Sequence, residues 1–132
     1  AKGMQKLDYY EGFQEKADMV KANLVSFLLQ QKKENTKVAA YGAAAKGNTL
    51  LNYCGIKNDY IEYVVDASPH KQGKYLPGSH IPIVGEDMIK KSKPDYILIL
   101  PWNLKDEITR QLSYVREWNS KFVLPIPKLK IV

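Results

Sequence analysis

Val38-Ala39-Ala40-Tyr41-Gly42-Ala43-Ala44-Ala45-Lys46-Gly47-Asn48-Thr49 is the stretch that decides the fold. Its first four residues form a short β-prone run that stops at Gly42, and from Thr49 to Tyr53 an apolar pattern compatible with a helix resumes. The unit reads strand, glycine turn, helix. Such a turn sets backbone N–H groups and the positive end of a helix dipole at the end of a strand, an arrangement that receives anions. Against G-x-G-x-x-G the segment keeps the first and third glycines, while Ala44 adds a methyl where the backbone closely approaches a pyrophosphate. Against G-x-x-x-x-G-K-[ST] it keeps both glycines and Thr49, but Asn48 replaces the lysine that reaches the outer phosphates, which disfavours an NTPase. The bland alternative is that the small residues serve only a tight turn and close helix-to-strand packing, with Lys46 a solvated lysine at the helix start.

On the N-terminal side, Tyr9, Phe13, Ala17, Val20, Leu24 and Leu28 recur every three or four residues and predict one long amphipathic helix over 8–34. On the C-terminal side, Tyr60 to Val65 is rich in aromatic and β-branched residues and predicts a second strand that stops at Asp66. Residues 67–82 carry three prolines and two glycines, too many for a regular element, and read as a long functional loop. A short helix over 86–93 follows. Tyr96 to Leu100 is a continuous apolar run, as in a strand buried on both faces. Leu104, Ile108, Leu112, Val115 and Trp118 then mark a further amphipathic helix, and Phe122 to Leu124 a last strand closed by Pro125 and Pro127. This alternation predicts right-handed crossovers and an α/β fold: a mostly parallel sheet of four to five strands, with the second strand outside the first, then the third and the fourth. Ligands of such sheets sit at the strand C-termini.

With 132 residues, the chain is expected to build one domain with a single hydrophobic nucleus, 1–35 as leading helix and 37–132 as alternating strands and helices. No apolar run reaches the ~18 residues of a membrane helix, so the expected setting is the cytoplasm, with no membrane partner. A lone cysteine, Cys54, agrees with a reducing compartment and reads as core. The net charge of +6 favours anionic partners, but the lysines are dispersed and no nucleic-acid motif occurs, so phosphorylated small molecules are preferred over nucleic acid. No metal-ligand set and no catalytic residue is assigned.

Several residues join the glycine turn as candidates. Asp66 falls about twenty residues past Gly47, where an acid contacts a ribose hydroxyl in dinucleotide folds; its alternative is a turn or cap aspartate. His70, Lys71, Lys74, Tyr75 and His80 gather cationic and hydrogen-bonding groups in the following loop, suited to clamping a diphosphate or sugar. Trp102 and Asn103 directly follow the most apolar strand. They suit sugar or base recognition, or else domain packing and helix capping.

Four ordered blocks carry a resemblance: YGAAAKGNTLLNYCGI (41–56), VVDASPHKQGKYLPGSHIPI (64–83), ILPWNLKDEI (99–108) and KFVLPIP (121–127). Together they resemble the C-terminal domain of the sugar C-methyltransferase family. The resemblance implies a Rossmann-like three-layer domain of a larger enzyme that also has a zinc-binding domain and an S-adenosylmethionine-binding domain, working in deoxysugar biosynthesis. It implies a nucleotide diphosphate sugar enclosed with the methyltransferase domain of the same chain. Gly42, Lys46 and Gly47 would lie near its pyrophosphate, with His70, Lys71, Tyr75, Trp102 and Asn103 lining the site. S-adenosylmethionine would serve the intact enzyme and no cofactor this domain, and the present chain would be a fragment without turnover of its own. The competing expectations are an NAD-type dinucleotide-binding module and a structural or oligomerising domain.

Overall fold

The computed structural model describes the backbone of residues 2–43, 45–126 and 129–132, and the side chains of 17–43, 47–126 and 129–132. The expectations placed on Tyr9, Phe13, Ala44, Pro127 and the Lys46 side chain lie outside the described residues. The chain opens with α1 (Lys2–Lys33) and continues through β1 (Val38–Tyr41), α2 (Ala45–Cys54), β2 (Val64–Val65), β3 (Ile83–Val84), α3 (Asp87–Ser92) and β4 (Tyr96–Ile99). A 3₁₀ turn (Trp102–Leu104), α4 (Lys105–Gln111), a 3₁₀ helix (Ser113–Trp118), β5 (Lys121–Leu124) and β6 (Lys130–Ile131) complete it.

The strands form one sheet in the order β3-β2-β1-β4-β5-β6. All neighbours are parallel except the last pair, in which Val123 faces Ile131. The expected inner order is present, and a two-residue strand is added at each edge. Side chains alternate between the two faces, as the strand period requires. Val38, Ala40, Val64, Leu98, Leu100 and Val123 pack against Leu24, Phe27 and Leu28 of α1 and Leu50 and Leu51 of α2. Ala39, Val65, Ile97, Ile99, Phe122 and Leu124 pack against Ile89 of α3, Ile108 of α4, and Leu112 and Val115 beyond it. The result is three layers with two hydrophobic clusters, one on each face of the sheet, in place of the single nucleus expected.

Helix ends follow the local chemistry. Beyond α1, Asn35 takes a left-handed conformation (φ 57°), with Asn35 N–H bonded to Lys32 O and Thr36 N–H to Gln31 O. This paired closure satisfies two carbonyls at the helix end, and Gly55 (φ 70°) closes α2 in the same way through Asn52 O and Leu51 O. Cys54 is buried in the α1/α2 core, as expected, and burial pushes its thiol pKa up.

Three local expectations need correction. The second strand is regular only at Val64–Val65, because residues 58–60 form a turn in which Tyr60 N–H bonds Lys57 O. The predicted helix after β4 breaks at Leu112, and the 3₁₀ repeat of three residues that follows aligns Leu112, Val115 and Trp118 on the core-facing side. Residues 67–82 are more regular than a loop. Tyr75 pairs antiparallel with Pro82, Leu76 N–H bonds Ile81 O, and Ile83 N–H bonds Lys74 O, so 73–83 is a hairpin laid along β3 with Leu76 and Ile81 buried. Pro82 fits because its carbonyl, not an N–H, meets β2 by accepting Val64 N–H.

Between α3 and α4, Gln111 Nε2 donates to Tyr41 Oη at 3.1 Å and to Glu86 Oε1 at 2.5 Å. The Tyr114 hydroxyl is buried close to the Glu86 carboxylate, without a well-formed hydrogen bond among the described residues. Burial, then the charge of Glu86, pushes the Tyr114 phenol up to about 12. Its folded value exceeds the ordinary 10.0, so its contribution to stability is full below pH 10 and falls as pH climbs toward 12. The difference between wild-type and Tyr114→Phe in an absorbance titration of tyrosine ionisation is expected to show one phenol ionising well above pH 10. A difference curve centred near 10 would contradict this geometry.

Candidate functional site

β1 and β4 lie side by side, and the helices that follow them pack on opposite faces: α2 after β1, and α4 after β4 once the Trp102 turn is passed. Their C-terminal ends are therefore the switch point at which ligands bind in sheets of this type. The two ends touch. Gly42 has φ 96°, its N–H bonds Val65 O at 2.7 Å, and a Cβ added there would stand 2.6 Å from Pro101 Cδ. Within the first turn of α2, a Cβ on Gly47 would lie 2.7 Å from Leu100 Cβ. Both glycines thus let the turn sit down on the end of β4.

Ala43 connects this turn to the loop after β2. Its N–H donates to Asp66 Oδ2 at 2.9 Å, and its carbonyl accepts Lys71 Nζ at 3.3 Å. Asp66 Oδ1 accepts Ser68 N–H at 2.8 Å, the bond of an aspartate that caps its own turn, and Gln72 Nε2 donates to the Asp66 carbonyl at 2.9 Å. Lys71 Nζ also stands 3.8 Å from Asp66 Oδ2. The structure therefore gathers Gly42, Asp66 and Lys71 around Ala43, at the mouth of α2. That helix has no acidic residue in its own first turn, and the carboxylate nearest its mouth among these residues, that of Asp66, is bonded to the Ala43 N–H ahead of the helix and faces the Lys71 ammonium. Asn48 Oδ1, also near the start of α2, is buried without a hydrogen-bond partner among the described residues.

The remaining candidates are distributed unequally. Trp102, half-buried, packs on the same core cluster as Ala43, and its N–H bonds Leu100 O, while Asn103 beside it is exposed. His70 is exposed in the turn before Lys71. Tyr75 is 64 % exposed on the outer arm of the hairpin, which runs antiparallel to β3 and so away from the strand C-termini. His80 (φ 59°) lies beyond it, past the tip where Asn52 Nδ2 bonds Pro77 O. These two are not brought to the turn.

Sequence reasoning missed Ala43, which acts through its backbone, and Pro101, whose ring closes on Gly42. It also missed Ser68 and Gln72, although the spacing of Asp66 and Ser68 is an available turn signal. Among the described residues no group of three or more His, Cys, Asp or Glu could hold a metal ion. No helix of the described residues is long and apolar enough to cross a membrane.

The profile of the C-methyltransferase C-terminal domain matches residues 1–127. A curated relative, C-methyltransferase NovU of Streptomyces niveus, is 33 % identical over 132 residues, which is 100 % of this chain and 31 % of the relative. The chain thus spans about a third of the length of that protein. The match runs through the glycine turn, the Asp66–Lys71 loop and the Trp102 turn alike, and the chain belongs to the C-methyltransferase C-terminal domain family.

Proposed function

We infer that this chain binds the nucleotide-sugar substrate of a sugar C-methyltransferase, holding the diphosphate at the Gly42–Asn48 turn. What carries the reading is the ammonium of Lys71, bonded to the Ala43 carbonyl at the mouth of a helix whose first turn bears no acidic residue. A cation there, together with first-turn N–H groups, forms an anion seat. Gly42, Lys46 and Gly47 flank the diphosphate, while His70, Trp102 and Asn103 lie along the same sheet edge, toward the sugar or base. Asp66 works from behind the turn.

The methyl donor, S-adenosylmethionine, belongs to the methyltransferase domain of the same full-length chain. Its chemistry is methyl transfer to a carbon next to a sugar ketone after that carbon loses a proton. This domain contributes binding and orientation, and orientation alone is worth several orders of magnitude in rate. The setting is cytoplasmic deoxysugar biosynthesis, and the isolated domain turns nothing over.

A packing-only reading has its own observation, since Pro101 and Leu100 require glycine at 42 and 47 whether or not a ligand binds. An NMR titration separates the two. Thymidine diphosphate sugar is expected to shift the amides of Gly42 to Asn48, with NAD and S-adenosylmethionine leaving them in place. Shifts with NAD alone would move the assignment to a dinucleotide module, and silence from all three, repeated in the full-length protein, would leave packing as the role of the turn.

A further inference from the structure

The position of Asp66 at the end of β2 suggests a ribose contact, yet its carboxylate is engaged elsewhere. The side chain is 15 % exposed, and each oxygen accepts a short bond from a backbone N–H, Ser68 at 2.8 Å and Ala43 at 2.9 Å. Charge-assisted bonds of that length fix a group in place. Lys71 is held differently. Its side chain is 47 % exposed, with Nζ 3.3 Å from Ala43 O and 3.8 Å from Asp66 Oδ2. A long ion pair at the surface is weak and exchanges readily.

We propose that Asp66 is a positioning residue: it sets the glycine turn through the Ala43 N–H and keeps Lys71 over the Ala43 carbonyl, from which the ammonium transfers to an arriving phosphoryl oxygen. This rests on the diphosphate reading of the turn and adds a division of labour to it. The acid serves the backbone, and the lysine meets the ligand. The residue that would take the ribose diol of a dinucleotide already spends one lone pair of each oxygen on the backbone of its own loop and of the glycine turn.

The test is a pyrophosphate titration of the chain by NMR, with amide exchange measured in its absence, for wild type, Asp66→Asn and Lys71→Met. Amides of Ile97 and Leu98 in the central strand report that each variant is folded. Asparagine offers one acceptor oxygen in place of two, so the Ala43 or the Ser68 amide is expected to exchange about tenfold faster in Asp66→Asn. Pyrophosphate is expected to bind this variant several-fold more weakly. Electrostatics alone predicts the opposite sign, since a negative charge beside the anion has been removed. Tighter binding with unchanged exchange at both amides would overturn the positioning role. In Lys71→Met both amides keep their exchange rates while pyrophosphate weakens about tenfold; an unchanged affinity removes Lys71 from the ligand. Should wild type bind no pyrophosphate, the diphosphate reading and the lysine's part fall together, while the exchange data still decide Asp66.

Discussion

Replacing Gly42 by alanine is expected to destabilise the protein by about 3 kcal/mol, measured by urea unfolding. Two costs add. A side chain at φ 96° is strained wherever it stands, and here the new Cβ would also fall 2.6 Å from Cδ and 2.9 Å from Cγ of Pro101. A proline ring cannot rotate aside, so the end of β4 or the turn itself must shift. Gly55 supplies the control: it has φ 70° and nothing within 4 Å of an added Cβ, so Gly55→Ala bears the strain alone, about 1 kcal/mol. The gap between the two variants then reports the Pro101 contact together with the extra strain of φ 96° over φ 70°. Equal losses would show that β1 and β4 do not close on each other at the switch point. The damage at Gly42 also spreads toward the site, because its N–H bonds Val65 O and the next N–H along bonds Asp66.

The inner sheet and the glycine turn were legible because their signals are local. A four-residue apolar run, one glycine and a returning helical period lie within a short window around Gly42, and the apolar run of β4 is continuous. The edge strands were not legible. Two residues are too few to display alternation, and Ile83–Val84 and Lys130–Ile131 are strands only by virtue of the neighbours they pair with. The prolines of 67–82 argued against order, whereas the structure uses Pro82 where only a carbonyl is needed. At the site, Asp66 was found by position, but its partner is the backbone of Ala43, whose side chain gives no hint of it. Gly47 reads as a phosphate-loop glycine, yet the atom that demands it belongs to Leu100, on a strand far along the chain. Contacts made across the sheet leave no trace in spacing along it.

Leu100→Ala tests whether the floor beneath α2 governs the turn. Leu100 is 1 % exposed at the end of β4, on the face that carries α1 and α2, and its side chain meets the space in front of Gly47 at 2.7–3.3 Å. Truncation removes buried methyl groups and leaves a cavity that the rigid sheet cannot fill, an expected loss of about 3 kcal/mol. Ile99→Ala provides the comparison. Ile99 is adjacent, fully buried and on the opposite face, among the residues packed with α3 and α4. Its truncation belongs to the same energetic class, so urea unfolding should rank the two variants together. Their amide spectra should differ, because only the Leu100 cavity lies under the first turn of α2. Shifts across Gly42 to Asn48 are expected for Leu100→Ala and not for Ile99→Ala, with weaker pyrophosphate binding in the former alone. If both variants leave those amides unmoved, the turn is held by Gly42 and Asp66 without support from β4. The seat for the anion would then be a property of the loop, independent of the core.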